Sequence, residues 1–229
     1  MAKDLRFTPQ LFEFLRELKA NNRKEWFDAN KDRYLADARD PMLAFIAAVR
    51  PRLNAISPFI VADPKPVGGS MLRIYRDLRF SKSKEPYKPM VAASFYHQMC
   101  KGGGAPGIYL HLDPDHRFLG LGIYQPDTVT RRKITDAIAA KPDAWGKAIS
   151  SPSFRKLCKL EGESLSKLPK QYDPDHPFAD DLRRKDFIAS AYFSERQVCA
   201  KDFIDKFEAV CQASNGLLEF LAKAVGVKW

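Results

Sequence analysis

Six basic residues crowd into the sixteen positions from Arg73 to Lys88: Arg73, Arg76, Arg79, Lys82, Lys84 and Lys88, opposed there by Asp77 and Glu85. The resulting net of four positive charges is a large share of the +10 carried by the 229-residue chain. Guanidinium forks take phosphate or carboxylate in a bidentate grip, and an ammonium binds the same groups as a point charge. Tyr75, Phe80 and Tyr87 are interleaved with the cations, and aromatic planes can stack rings or bases. The expected site therefore comprises Arg73, Tyr75, Arg76, Asp77, Arg79, Lys82, Tyr87 and Lys88, and its expected ligand is an anion, either a phosphate-bearing small molecule or nucleic acid. Asp77 lies among arginines that would hold its carboxyl ionised, which makes it a poor general base near neutrality and a good orienter of guanidiniums. The bland alternative is a solvated edge in which Asp77 pairs with Arg76 or Arg79.

A second cluster, Arg183-Arg184-Lys185, is balanced by Asp180, Asp181 and Asp186. Alone it reads as a salt-bridged helix end. It matters to function only where the chain folds Arg184 or Lys185 beside the first cluster, and that convergence is expected here.

Other chemistries find less support. Gly102-Gly103-Gly104 and Gly107 precede an apolar alternating run, whereas a phosphate-binding glycine loop follows a strand and opens a helix. His97, His111, His116 and His176 lack the spacing of zinc ligands; His111 and Asp113 can share a strand face, but two ligands do not make a site. Cys100, Cys158, Cys199 and Cys211 form no Cys-x-x-Cys pair, so buried or surface thiols are expected in place of metal or disulfide. No Gly-x-Ser-x-Gly elbow is present. No metal or cofactor is expected.

The elements that position the basic segment follow from periodicity. Thr8-Pro9 is a capped helix start, followed by Leu11, Phe14, Leu15 and Leu18 at helical spacing. A second helix is expected from Arg23 to about Arg39, and Asp40-Pro41 reads as a third start ahead of Met42, Phe45, Ile46, Val49 and Leu53. After Gly68-Gly69 the period falls to two in Met71–Tyr75, Val91–His97, Ile108–Leu112 and Leu119–Ile123. Asp113-Pro114-Asp115-His116 supplies a hairpin turn between the last two. Alternation in Met71–Tyr75 sets Arg73 and Tyr75 opposite Leu72 and Ile74. Helical spacing returns from Asp127 to Cys158 with breaks near Pro142 and Pro152; Ile188–Phe193 adds a strand, and one long amphipathic helix is expected over Ala200–Ala224. The fold class is α+β: an antiparallel sheet of about four to six strands with helices mainly on one face. Residues 1–229 are read as a single domain without repeats or linkers. No apolar run nears the roughly 20 residues of a membrane span, and the charged N-terminus, Met1-Ala2-Lys3-Asp4, argues for a cytoplasmic protein.

Several stretches together resemble one family. They are Asn21-Asn22-Arg23-Lys24-Glu25-Trp26-Phe27, Arg73-Ile74-Tyr75-Arg76-Asp77, Arg79-Phe80-Ser81-Lys82 and Pro86-Tyr87-Lys88, with Gly107-Ile108-Tyr109-Leu110 and Asp173-Pro174-Asp175-His176-Pro177 through Arg184-Lys185-Asp186-Phe187. The chain is similar over almost its whole length to the bacterial and fungal family called domain of unknown function 2461. The resemblance implies one intact domain and carries no activity. Three readings stay open: an anion-binding module, an enzyme on a phosphorylated or nucleotide substrate whose arginines stabilise developing charge, and a protein-interaction domain with a basic patch.

Overall fold

The computed structural model describes residues 6–77, 79, 84–99 and 104–229. Period-two alternation builds a six-stranded antiparallel sheet: β1 (Ile60–Val61), β2 (Val91–His97), β3 (Gly107–Leu112), β4 (Arg117–Ile123), β5 (Lys159–Glu161) and β6 (Phe187–Tyr192), in spatial order β1-β2-β3-β4-β6-β5. The hairpin at Asp113–His116 pairs Leu112 with Arg117 and Ile108 with Leu121. Residues opposite one another in a ladder share a face, so Ala93, Phe95, Ile108, Leu110, Leu119, Leu121, Ala189 and Ala191 form one buried sheet face.

Helices cover that face. The N-terminal layer is α1 (Pro9–Ala20), α2 (Lys24–Ala29), α3 (Lys31–Arg33), a π-helical turn (Tyr34–Arg39) and α4 (Asp40–Ile56). Then come α5 (Thr128–Ala140), α6 (Pro142–Ser150), α7 (Pro152–Leu157), α8 (Glu195–Val198), α9 (Phe203–Ala213) and α10 (Asn215–Val225). α4 packs on β2 and α10 on β4. Phe207 of α9 meets Phe45 of α4 edge-on at 5.1 Å and Phe95 of β2 at 5.7 Å, so aromatic edges lock both helices to the sheet. None of the helices is long and apolar enough to cross a membrane among the described residues.

Local details depart from the sequence reading at four places. Arg23–Arg39 is interrupted at Asn30, which caps α2. Asp40-Pro41 does open α4, but the helix runs on directly from the π turn, so Asp40 is not an N-cap. The π turn before it absorbs the missing prolyl N–H, with the Asp40 N–H reaching back to the Leu35 carbonyl. The expected Ala200–Ala224 helix divides at Ser214, whose buried hydroxyl lies 3.2 Å from Cys158 Sγ. Met71–Tyr75 is no strand either. It touches its neighbours through isolated bridges, Met71 to Ala93 and Tyr75 to Tyr87. Pro86 and Pro89 have no N–H to give a ladder on that stretch.

Candidate functional site

The basic segment is anchored from α1, α2 and the start of β2. Asn22, between α1 and α2, clasps the Tyr87 backbone in both directions: its Nδ2 donates to the Tyr87 carbonyl at 2.9 Å, and its Oδ1 accepts the Tyr87 N–H at 3.1 Å. The Tyr87 ring is stacked on Phe27 at 4.1 Å and is buried. Tyr87 is therefore a core aromatic that fixes the segment and offers no face to a ligand, contrary to the stacking role expected of it. Tyr75 packs at 5.4 Å on Tyr87 and keeps about half its surface exposed, at 52 %.

Around this anchor three cations gather. Arg76 donates from Nε to the Tyr87 carbonyl at 2.8 Å and pairs with Glu85 at 3.2 Å. The Lys88 ammonium makes one long contact, 3.4 Å, to the Arg73 carbonyl. Burial first, then the Arg73 and Arg76 charges, push the Lys88 pKa below that of an ordinary lysine. A cavity of about 420 Å³ opens here, lined by Arg76 and Lys88 together with Lys19 of α1 and the hairpin carboxylates Asp113 and Asp115. Both carboxylates are already engaged. Asp115 holds Lys19 at 2.6 Å, while Asp113 accepts from His111 at 2.7 Å and from the Asp115 and His116 N–H groups. Burial raises the Asp113 pKa, but these hydrogen bonds outweigh it and leave the group below the ordinary aspartate value. Lys88 is thus a partly buried cation with no carboxylate partner among the described residues.

The other expected residues stand apart from the cavity. Arg79 turns to Asp77, gripping it through Nε and one terminal nitrogen, and lowers its pKa; the pair is exposed. Arg73 is exposed. Lys82 lies outside the described residues. Arg184 and Lys185 do not join the cluster. They precede β6, whose first residue pairs with Ile123, at the strand ends remote from the Asp113–His116 turn. Arg184 is instead structural: its Nε meets Asp181 at 2.6 Å, and the other Asp181 oxygen accepts the indole N–H of buried Trp145 at 2.8 Å. Lys185 pairs with Glu163 at 3.0 Å.

The sheet face opposite the helices carries a trough of about 720 Å³ that sequence reasoning missed. Its aromatic lining includes Tyr96, Tyr109, Phe118, Tyr124 and Tyr192, over a floor relieved by Gly107 and Gly120. Alternate residues of five strands, β2 to β6, contribute to it, so no contiguous motif announces it; the signal available was the polar-side register of each strand. His111 stacks on Phe118 at 4.9 Å and bridges the Tyr109 hydroxyl, 3.1 Å from Nδ1, to Asp113. Burial and the Asp113 charge raise the Tyr109 pKa. Tyr192 donates to Glu161 Oε2 at 2.6 Å, and that bond is the main cause of its own raised pKa.

His111 and Asp113, the histidine–carboxylate pair visible in the sequence, bind each other. No group of three histidine, cysteine or acidic residues able to hold a metal exists among the described residues. Cys199 ends α8, and burial pushes its thiol up to about 11, the opposite of an activated thiolate. Cys158 and Cys211 are buried, each with a raised pKa. Curated proteins give no match to the chain. The family description "conserved hypothetical protein (DUF2461)" matches residues 10–220, from α1 into α10 and across the cation cavity and the trough alike. The chain belongs to the DUF2461 family.

Proposed function

We propose that this protein, acting as one domain, binds a small phosphate-bearing ligand in the cavity formed by Lys19, Arg76 and Lys88. The observation that carries the reading is Lys88: a partly buried ammonium whose pKa is lowered by burial and by Arg73 and Arg76, beside a cavity that opens to solvent. Such a like-charged group gains most from an incoming anion. The compactness of the cluster favours a small ligand over a nucleic-acid strand. Arg79 is neutralised by Asp77, and the second basic cluster lies at the other end of the sheet, so no continuous basic stripe tracks a phosphate backbone among the described residues.

The test is isothermal titration with inorganic phosphate, glycerol phosphate and a single-stranded oligonucleotide. The two small phosphates should bind, and Lys88→Ala should weaken them about ten- to a hundredfold, the range for a charge-assisted hydrogen bond. Binding should also draw the Lys88 pKa upward, so titrations near the pH where it deprotonates should show proton uptake, with a heat that varies with the buffer. An oligonucleotide that binds while the small phosphates do not, or a Lys88→Ala chain that binds as the wild type does, refutes the reading.

A further inference from the structure

We infer that the trough on the open sheet face is a second binding site, independent of the phosphate cavity, and that it takes an organic cation with N–H donors and an apolar body: an amine. Asp113 is held in its ionised form by the bonds it accepts, so His111 donates Nε2–H to it across 2.7 Å. The Tyr109 hydroxyl, 3.1 Å from Nδ1, is engaged by the same ring. At the other wall Tyr192 spends its proton on Glu161 Oε2 and leaves Oε1 without a donor among the described residues. One wall thus presents a carboxylate oxygen still open to a donor, and the other a tyrosine hydroxyl held by His111.

Charge points the same way. Among the described residues Glu161 is the charged side chain in the lining; Lys159, opposite Ser190 on the edge strand, is exposed and outside it. Aromatic faces with a carboxylate attract a cation through the ring quadrupole and a charge-assisted hydrogen bond together. A phosphate or carboxylate would meet the reverse: like charge, and acceptors facing acceptors. The Gly120 position leaves the floor open, since a β-carbon there would have no neighbour nearer than 3.8 Å. A flat ring or alkyl body can therefore lie between the walls, in a cavity of the size that holds small molecules.

Three near-isosteres of different charge test this: phenethylamine, 2-phenylethanol and phenylacetate, titrated by calorimetry at constant ionic strength into the full chain. Phenethylamine should bind at least about tenfold more tightly than the neutral alcohol, with phenylacetate the weakest. Glu161→Gln keeps shape and removes charge; it should cost phenethylamine about tenfold or more and leave 2-phenylethanol unchanged. Phe118→Ala should weaken both. Lys88→Ala should affect neither, so the trough stands or falls separately from the phosphate cavity. Equal binding of the alcohol and the amine, preference for the carboxylate, absence of any binding, or indifference to Glu161→Gln in a variant with wild-type melting would each overturn the inference.

Discussion

Gly122→Ala is expected to destabilise the fold by roughly 3–5 kcal/mol, combining backbone strain with forced overpacking. Gly122 lies on β4, between β3 and β6, with φ of +134°, a conformation that side-chain-bearing residues rarely adopt. A β-carbon there would come within 2.0 Å of the Phe187 carbonyl oxygen. That atom is backbone of the neighbouring strand, so relief requires β4 and β6 to part, with loss of ladder hydrogen bonds. For a chain of this size the melting temperature should fall by about 10 °C or more. Gly120→Ala is the control: it sits two residues away on the same strand, where an added β-carbon meets nothing closer than 3.8 Å, and it should shift melting by no more than about 3 °C. Thermal melts of both variants decide the matter. Gly122→Ala melting with the wild type would mean the β4–β6 register described here is wrong.

The hairpin at that centre was readable because its signals are local. Ile108, Leu110 and Leu112 alternate, Leu119, Leu121 and Ile123 alternate, and Asp113-Pro114-Asp115-His116 turns the chain between them. Each of those cues lies within a few residues of the structure it dictates. β1 and β5 gave no such cue, since runs of two and three residues have no period. Met71–Tyr75 gave a misleading one: the alternation that buries Ile74 and exposes Arg73 and Tyr75 is real, but prolines across from it restrict pairing to isolated bridges. At the site, the cations Arg76 and Lys88 were visible from charge density. Lys19, which completes their cavity, is recruited from α1 through its pair with Asp115, a long-range contact that no local pattern encodes. Tyr87 shows the converse limit. An aromatic among cations looks like a ligand platform until Phe27, sixty positions earlier, is found stacked on it.

Arg184 illustrates how the same charge can serve the core, and it yields the second large effect. Asp181→Ala should cost about 3–5 kcal/mol, because it strands two donors at once. The Asp181 carboxylate takes the Trp145 indole N–H on one oxygen and the Arg184 guanidinium on the other. Trp145 is fully buried in α6 and packs on Phe220 of α10 at 5.2 Å. The Arg184 side chain is 17 % exposed and that of Asp181 12 %, so water replaces little of what is lost. Arg184 also donates to the Glu161 carbonyl at 3.3 Å and forms a bridge with Ser164, tying the segment before β6 to the one after β5. Arg184→Ala should cost less than Asp181→Ala, since the surviving carboxylate keeps the Trp145 bond and loses one partner where Asp181→Ala strands two. The double variant should lie close to Asp181→Ala alone, a non-additivity expected of partners in one network. Chemical denaturation of the three variants measures the cycle, and phosphate titration on the same samples separates structure from binding. If Arg184→Ala leaves stability untouched but abolishes phosphate affinity, then Arg184 belongs to the anion site after all, and the cavity at Lys88 is not the place where the ligand sits.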